Sequence, residues 1–298
     1  MTGQAKDMVV ACDLSGCVYG FVNGVQAWRR DYPGIQVRAL DVFEGLAYVS
    51  NGTGIDVLNP KTGYVHAKIT VPSAPAQING IRITRDGGFI WVAVCFATIT
   101  GSVRLYRMSL QVLTHVTTLN ASYPRNAVVA GGWVLFADTY GHKVYGYTTS
   151  GAFRVSRDVY FPNTVDTDDA GVSFIICAEH ENRVYRWRYP YSGGQTELLT
   201  MLFTAPVAPF SDITKTKAQI ESGQAATVDT TSTFTPKKSK CAVEFSGVNT
   251  LYSQNSARIY NGDLLIADTD NHRVIYVSGG SVVTEVTGFV NPVNAVLF

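Results

Sequence analysis

Six residues stand at equivalent places along the chain, each opening a short apolar run: Arg38, Asn79, Asn126, Asn163, Ser256 and Asn294. Side-chain amides are hard oxygen donors of the kind that calcium takes, so asparagines converging on one point raise the question of a calcium site. The set is incomplete for that chemistry. Calcium takes carboxylate as well as amide oxygen, the six include no carboxylate, and Arg38 brings a cation that opposes a metal. The asparagines are therefore expected to cap strand starts and to hydrogen-bond between neighbouring units. The six are read as binding positions at a channel mouth, with no metal, no cofactor and no catalytic role.

Other reactive residues are weaker still. The five histidines are His66, His115, His142, His180 and His272; three of them occupy the same turn of a repeat, which spreads them apart and does not gather zinc ligands. Asp166, Asp168 and Asp169 lie in a polar, glycine-containing stretch that reads as a solvated turn able to hold at most a weak divalent ion. Arg183, Arg186 and Arg188 alternate with Tyr185 and Trp187. Basic and aromatic residues so placed can stack single-stranded RNA, although the period-two alternation of a half-buried strand gives the same pattern. There is no Gly-x-Ser-x-Gly elbow, phosphate-binding Gly-Lys loop or His-Glu-x-x-His. The five cysteines are scattered without Cys-x-x-Cys spacing and are expected to be reduced.

These residues must be positioned by a repeat. Leu264 to Val277 reads LLIADTDNHRVIYV, and Val134 to Tyr147 reads VLFADTYGHKVYGY. Each is an apolar strand ending in Ala-Asp, a polar turn, and a second strand opened by a base and Val. Asp268 and Asp138 are expected to accept turn N–H groups. Phe174 to Trp187 is a third copy, and Leu46 to Leu58 and Phe89 to Tyr106 are looser ones. Each hairpin has a further short strand on either side, such as Val37 to Val42 and Tyr64 to Ile69. Four strands at a period of about 40 residues are the pattern of propeller blades.

The segment Val9 to Val22 matches the middle hairpin of a blade without an innermost strand ahead of it, while Asn291 to Phe298 (NPVNAVLF) resembles the innermost strand Tyr123 to Val129 (YPRNAVV). Residues 289–298 are thus expected to complete the blade of residues 8–33 and close the ring. The turns resemble those of the NHL-repeat family, through Ala267, Asp268, Asn271, His272, Arg273 and Val274, and again through Ala137, Asp138, His142, Lys143 and Val144. That resemblance implies an all-β, closed propeller of about six four-stranded blades. It also brings relatives with chemistry into view: six-bladed lactonases and phosphotriesterases that hold calcium with Asn and acidic residues, a zinc lyase, and RNA-binding NHL domains.

One single domain, 1–298, accounts for the chain, with residues 204–254 as an insertion between blades five and six, expected to protrude. Formal net charge is +1 and charged residues make 16% of the chain, so no global field gathers nucleic acid or anionic membrane. No apolar run approaches the roughly 20 residues that span a bilayer, and the first residues lack a signal-peptide pattern. Together these features lead to the expectation of a non-enzymatic protein made in the cytoplasm. Its partners would be other protein subunits of a homo-oligomer or hetero-complex, without membrane or nucleic acid, as in the nozzle of a bacteriophage tail.

Overall fold

The structure is a computed structural model, and it describes residues 6–12, 16–96, 101–167, 173–178, 183–188, 198–204, 256–279 and 281–298. Blade one contains β1 (Met8–Cys12), β2 (Cys17–Val22) and β3 (Val25–Asp31). Blade two is β4 (Leu40–Phe43), β5 (Leu46–Ser50), β6 (Gly54–Leu58) and β7 (Val65–Thr70). Blade three is β8 (Ile78–Asp86), β9 (Phe89–Phe96), β10 (Ser102–Ser109) and β11 (Val112–Asn120). Blade four is β12 (Pro124–Ala130), β13 (Trp133–Asp138), β14 (Lys143–Thr148) and β15 (Phe153–Asp158). Blade five is β16 (Pro162–Asp166), β17 (Ser173–Ala178), β18 (Arg183–Arg188) and β19 (Leu198–Thr204). Blade six is β20 (Ser256–Tyr260), β21 (Asp263–Asp268), β22 (Arg273–Ser278) and β23 (Ser281–Thr287). The last strand, β24 (Pro292–Leu297), pairs antiparallel with β1, so the first sheet runs β24-β1-β2-β3 and the ring closes as the sequence predicts.

Burial follows position in the blade. Middle strands such as β1, with every residue of MVVAC buried, are covered on both faces by neighbouring blades and so carry continuous apolar runs. Outer strands such as β3 are mostly exposed and alternate, which is why they tolerate Arg and Asp. The core is correspondingly divided into six hydrophobic clusters, each shared by two adjacent blades. A register shift recurs between the third and fourth strands of all six blades, twisting each outer edge away from its sheet.

The expected insertion at 204–254 falls outside the described residues except for Thr204, the last residue of β19. Among the described residues no helix is long and apolar enough to cross a membrane.

Candidate functional site: a plugged channel with two unlike mouths

Each innermost strand has one edge with no sheet partner, and polar side chains of adjoining blades supply its hydrogen bonds. Asp41 Oδ2 accepts the Ile83 N–H at 2.6 Å, Asn126 Oδ1 that of Val165 at 3.2 Å, and Asp166 Oδ2 that of Ile259 at 3.1 Å. The Thr84 hydroxyl donates to the Val129 carbonyl at 2.8 Å, the Tyr260 hydroxyl accepts the Leu297 N–H at 3.0 Å, and Asn294 Nδ2 donates to the Leu40 carbonyl at 3.2 Å. All six blade junctions are clasped in this way. Unpaired backbone groups in an enclosed channel would otherwise be costly.

Four charged side chains cross the channel itself. Arg82 on β8 donates from Nη1 to Asp41 at 2.8 Å and from Nη2 to Asp166 at 2.6 Å, joining blades two, three and five. Arg258 on β20, which is 1% exposed, donates to the Leu40 carbonyl at 2.9 Å and lies 3.7 Å from Asp41 Oδ1. Two arginines face two aspartates, so the cluster is neutral. Burial would drive Arg82 toward its uncharged form, but Asp166 and Asp41 outweigh that effect and raise its pKa above the ordinary range. Tyr260 is raised too, chiefly by burial. The arrangement has a twofold character: Asp41 caps the residue after Arg82, and Asp166 caps the residue after Arg258.

This plug separates two spaces. At the end where the innermost strands begin lies a narrow cavity, about 20 Å³ to the centre of a water molecule, which admits about one water. It is lined by Arg38, Asn79, Asn126, Asn163 and Asn294, five of the six residues expected at a mouth, together with Arg125, which the sequence reading left out. Ser256 is not part of it; the residue is fully buried, and its place on the wall is taken by neighbours such as Thr164. At the opposite end the channel widens to a vestibule of about 420 Å³, walled by Val42, Phe43, Ile83, Val129, Ile259 and Leu297 over a floor of Arg82, Asp41 and Tyr260.

Asp166 requires a correction. It was expected in a solvated turn, yet it ends β16 at 1% exposure, because its carboxylate meets both Arg82 and the Ile259 N–H. Asp168, Asp169 and His180 lie outside the described residues. His66 and His115 are exposed on outer strands, and no group of three or more metal-ligating side chains occurs among the described residues. Trp187 is fully buried between blades and presents no stacking face to a base.

The repeated turn has a defined task. His142 and His272 adopt left-handed backbone (φ 52° and 55°), and their Nδ1 atoms accept the N–H of Phe161 and Asn291 at 3.3 and 3.2 Å. Thr139 and Thr269 donate to the carbonyls of the next residues, Pro162 and Pro292, at 2.8 and 2.7 Å. Each Ala-Asp-Thr…His turn thus grips the proline that opens the next blade. Asp138 accepts the N–H groups of Ser122 and Tyr123, ahead of its own blade's innermost strand, and Asp268 binds the side chains of Arg273 and Asn271.

No protein-family model and no curated protein matches the sequence. Solved structures do. A Bacteroides caccae protein of unknown function is similar over 97% of this chain and 98% of its own, with a TM-score of 0.64 at 13% identity. A chain of a nidogen/laminin complex covers 95% of this chain and 93% of its own (TM-score 0.57, 10% identity). Virginiamycin B lyase from Staphylococcus aureus covers 84% and 69% (TM-score 0.50, 12% identity). What is shared is the six-bladed propeller. At such identities the likeness extends to the fold alone.

Proposed function

We propose that this propeller is a non-catalytic platform, a structural subunit that docks other protein subunits through the wide end of its ring. The observation that carries this reading is the placement of exposed apolar side chains. Nine large ones are exposed among the described residues, and seven, Val25, Tyr64, Phe89, Leu110, Val112, Phe153 and Val283, lie at the end where the innermost strands finish. Scattered apolar residues are ordinary on a surface, whereas a collection on the one face where the vestibule opens supports a contact surface. Leu110 is 96% exposed at a turn where both it and Gln111 have positive φ, a conformation that bulky side chains disfavour. The low charged fraction suits a lasting interface more than electrostatic capture. A virion component of a phage tail is one assembly that would use such a subunit.

A calcium-dependent hydrolase has less support, since the asparagine mouth carries two arginines and no carboxylate among its described lining residues. The test is the native mass of the protein in its own assembly, paired with turnover assays on lactones, esters and phosphotriesters with and without calcium. A particle heavier than the monomer, broken by Leu110→Glu with Tyr64→Glu, is expected. A lone monomer with chelator-sensitive turnover would replace this reading with the hydrolase.

A further inference from the structure

Two of the five cysteines meet in the blade that closes the ring. Cys12 ends β1 and Cys17 opens β2, and the antiparallel register sets them directly opposite each other. Their side chains share one face, because Cys12 alternates with Met8 and Val10, and Cys17 with Tyr19 and Phe21, in a single cluster packed on Leu265, Val274 and Tyr276 of blade six. Directly opposed Cα atoms of antiparallel strands lie about 4.5–5.5 Å apart. That falls within the roughly 4.4–6.8 Å that a disulfide spans. Both residues are reduced thiols here, and a hydrogen bond joins them.

The surroundings hold this pairing in register. Gly16, just ahead of Cys17, has a φ of 55°, and its carbonyl accepts the Tyr32 N–H at 2.7 Å. A Cβ on Gly16 would lie 2.8 Å from the Ile35 carbonyl oxygen and 2.9 Å from that of Tyr32, so glycine is what lets the chain enter β2 here. On the other side the Val290 backbone bonds the Cys12 sulfur, just before β24 opens at Pro292. The other two described cysteines meet no cysteine across their sheets: Cys95 stands opposite Gly80 and Val103, and Cys177 opposite Thr164 and Val184.

We propose that Cys12 and Cys17 are a modification site, at which a small disulfide such as oxidised glutathione cross-links β1 to β2 and locks the closing blade. One cysteine thiolate attacks a sulfur of the small disulfide, forming a mixed disulfide and releasing one small thiol. The other cysteine thiolate then attacks the protein sulfur of the mixed disulfide, forming the Cys12–Cys17 bond and releasing the second small thiol. The cysteine pair loses two electrons and two protons, and the small disulfide takes them up. Both sulfurs are buried, and burial pushes the Cys12 thiol up to about 12, so exchange waits on an opening of the hairpin end and runs slowly.

Holding the folded, reduced chain in oxidised glutathione until its mass is constant, then alkylating it in denaturant, tests the site. Reactive thiols are expected to fall from five to three, with the tryptic peptide from Asp7 to Arg29, which carries both cysteines, lighter by two hydrogens. The melting midpoint of the cross-linked chain should rise by roughly 2–6 °C, and dithiothreitol should reverse the rise. Cys17→Ser should abolish both effects, and the peptide mass reads the cross-link in the unaltered chain if that variant fails to fold. Five thiols still reacting, glutathione retained on either cysteine in place of the cross-link, a cross-link from either to another cysteine, or a cross-linked chain that melts no higher would overturn the inference.

Discussion

Arg82 is held by carboxylates from two other blades at the bottom of the vestibule, and both carboxylates are 1% exposed. Removing one partner of a buried pair strands the other charge, so Arg82→Met is expected to cost about 3–5 kcal/mol. Arg85→Ala breaks only the pair with Glu44, both side chains being 57% exposed, and is expected to cost less than about 1 kcal/mol. Urea unfolding of the two variants side by side checks the contrast. Alkaline pH acts on other residues. Burial pushes the Cys12 thiol from 9.0 up to about 12, and burial with a hydrogen bond to Asp263 pushes the Tyr276 phenol from 10.0 to about 12. Because both folded values are raised, their stabilisation is complete below the unfolded values and is lost as pH climbs from 9.0 toward about 12. The denaturation midpoint should therefore fall through that window, and Tyr276→Phe should lessen the fall above pH 10.0. The plug was not legible in the sequence, since Asp41, Arg82, Asp166 and Arg258 are far apart and each looks like an ordinary polar position on a strand. The available signal was the doubled Arg-Ile of Arg82-Ile83 and Arg258-Ile259, with Asp41 and Asp166 on the strands just before them in the ring. It has meaning only once the ring order is known.

The blade hairpins were legible because strand, turn and strand lie within one short stretch of chain, and the sharp copies carry residues that the turn geometry requires. His142 and His272 keep a left-handed conformation and accept a backbone N–H from the next blade, so the same residue serves its own turn and the junction. His142→Ala removes the acceptor of the buried Phe161 N–H and is expected to cost about 1–3 kcal/mol, the range for leaving a buried donor unmet. His66→Ala, on an exposed outer strand, should be near neutral; thermal melts distinguish them. Strand limits were harder to read. β4 begins at Leu40 where Val37 was expected, and β8 continues to Asp86. For β8 the neighbouring blade sets the end: Asp86 accepts the N–H groups of Gly131 and Gly132. Deleting residues 291–298 removes β24 and bares an edge of β1. Aggregation or loss of a cooperative melt is the expected result, whereas a monomer melting like the full chain would remove the basis for ring closure.

At the scale of the whole ring, the two ends differ in chemistry. One carries arginines and amides around a space the size of a water, and the other carries exposed apolar turns around a vestibule of about 420 Å³. Five of the six mouth residues were legible because equivalent places in a repeat map to equivalent places in a ring. The apolar end was not, because Val25, Tyr64, Leu110 and Phe153 sit in turns or at the strand ends beside them, where exposure depends on which neighbours reach them. Hydrogen–deuterium exchange on the free protein and on the protein in its native assembly compares the two ends within one sample. Protection on assembly should concentrate in the wide-end turns, at residues 22–25, 59–64, 86–89 and 109–112. Protection at the narrow mouth with these turns still exchanging freely, or no difference between the two samples, would contradict a docking platform at the wide end.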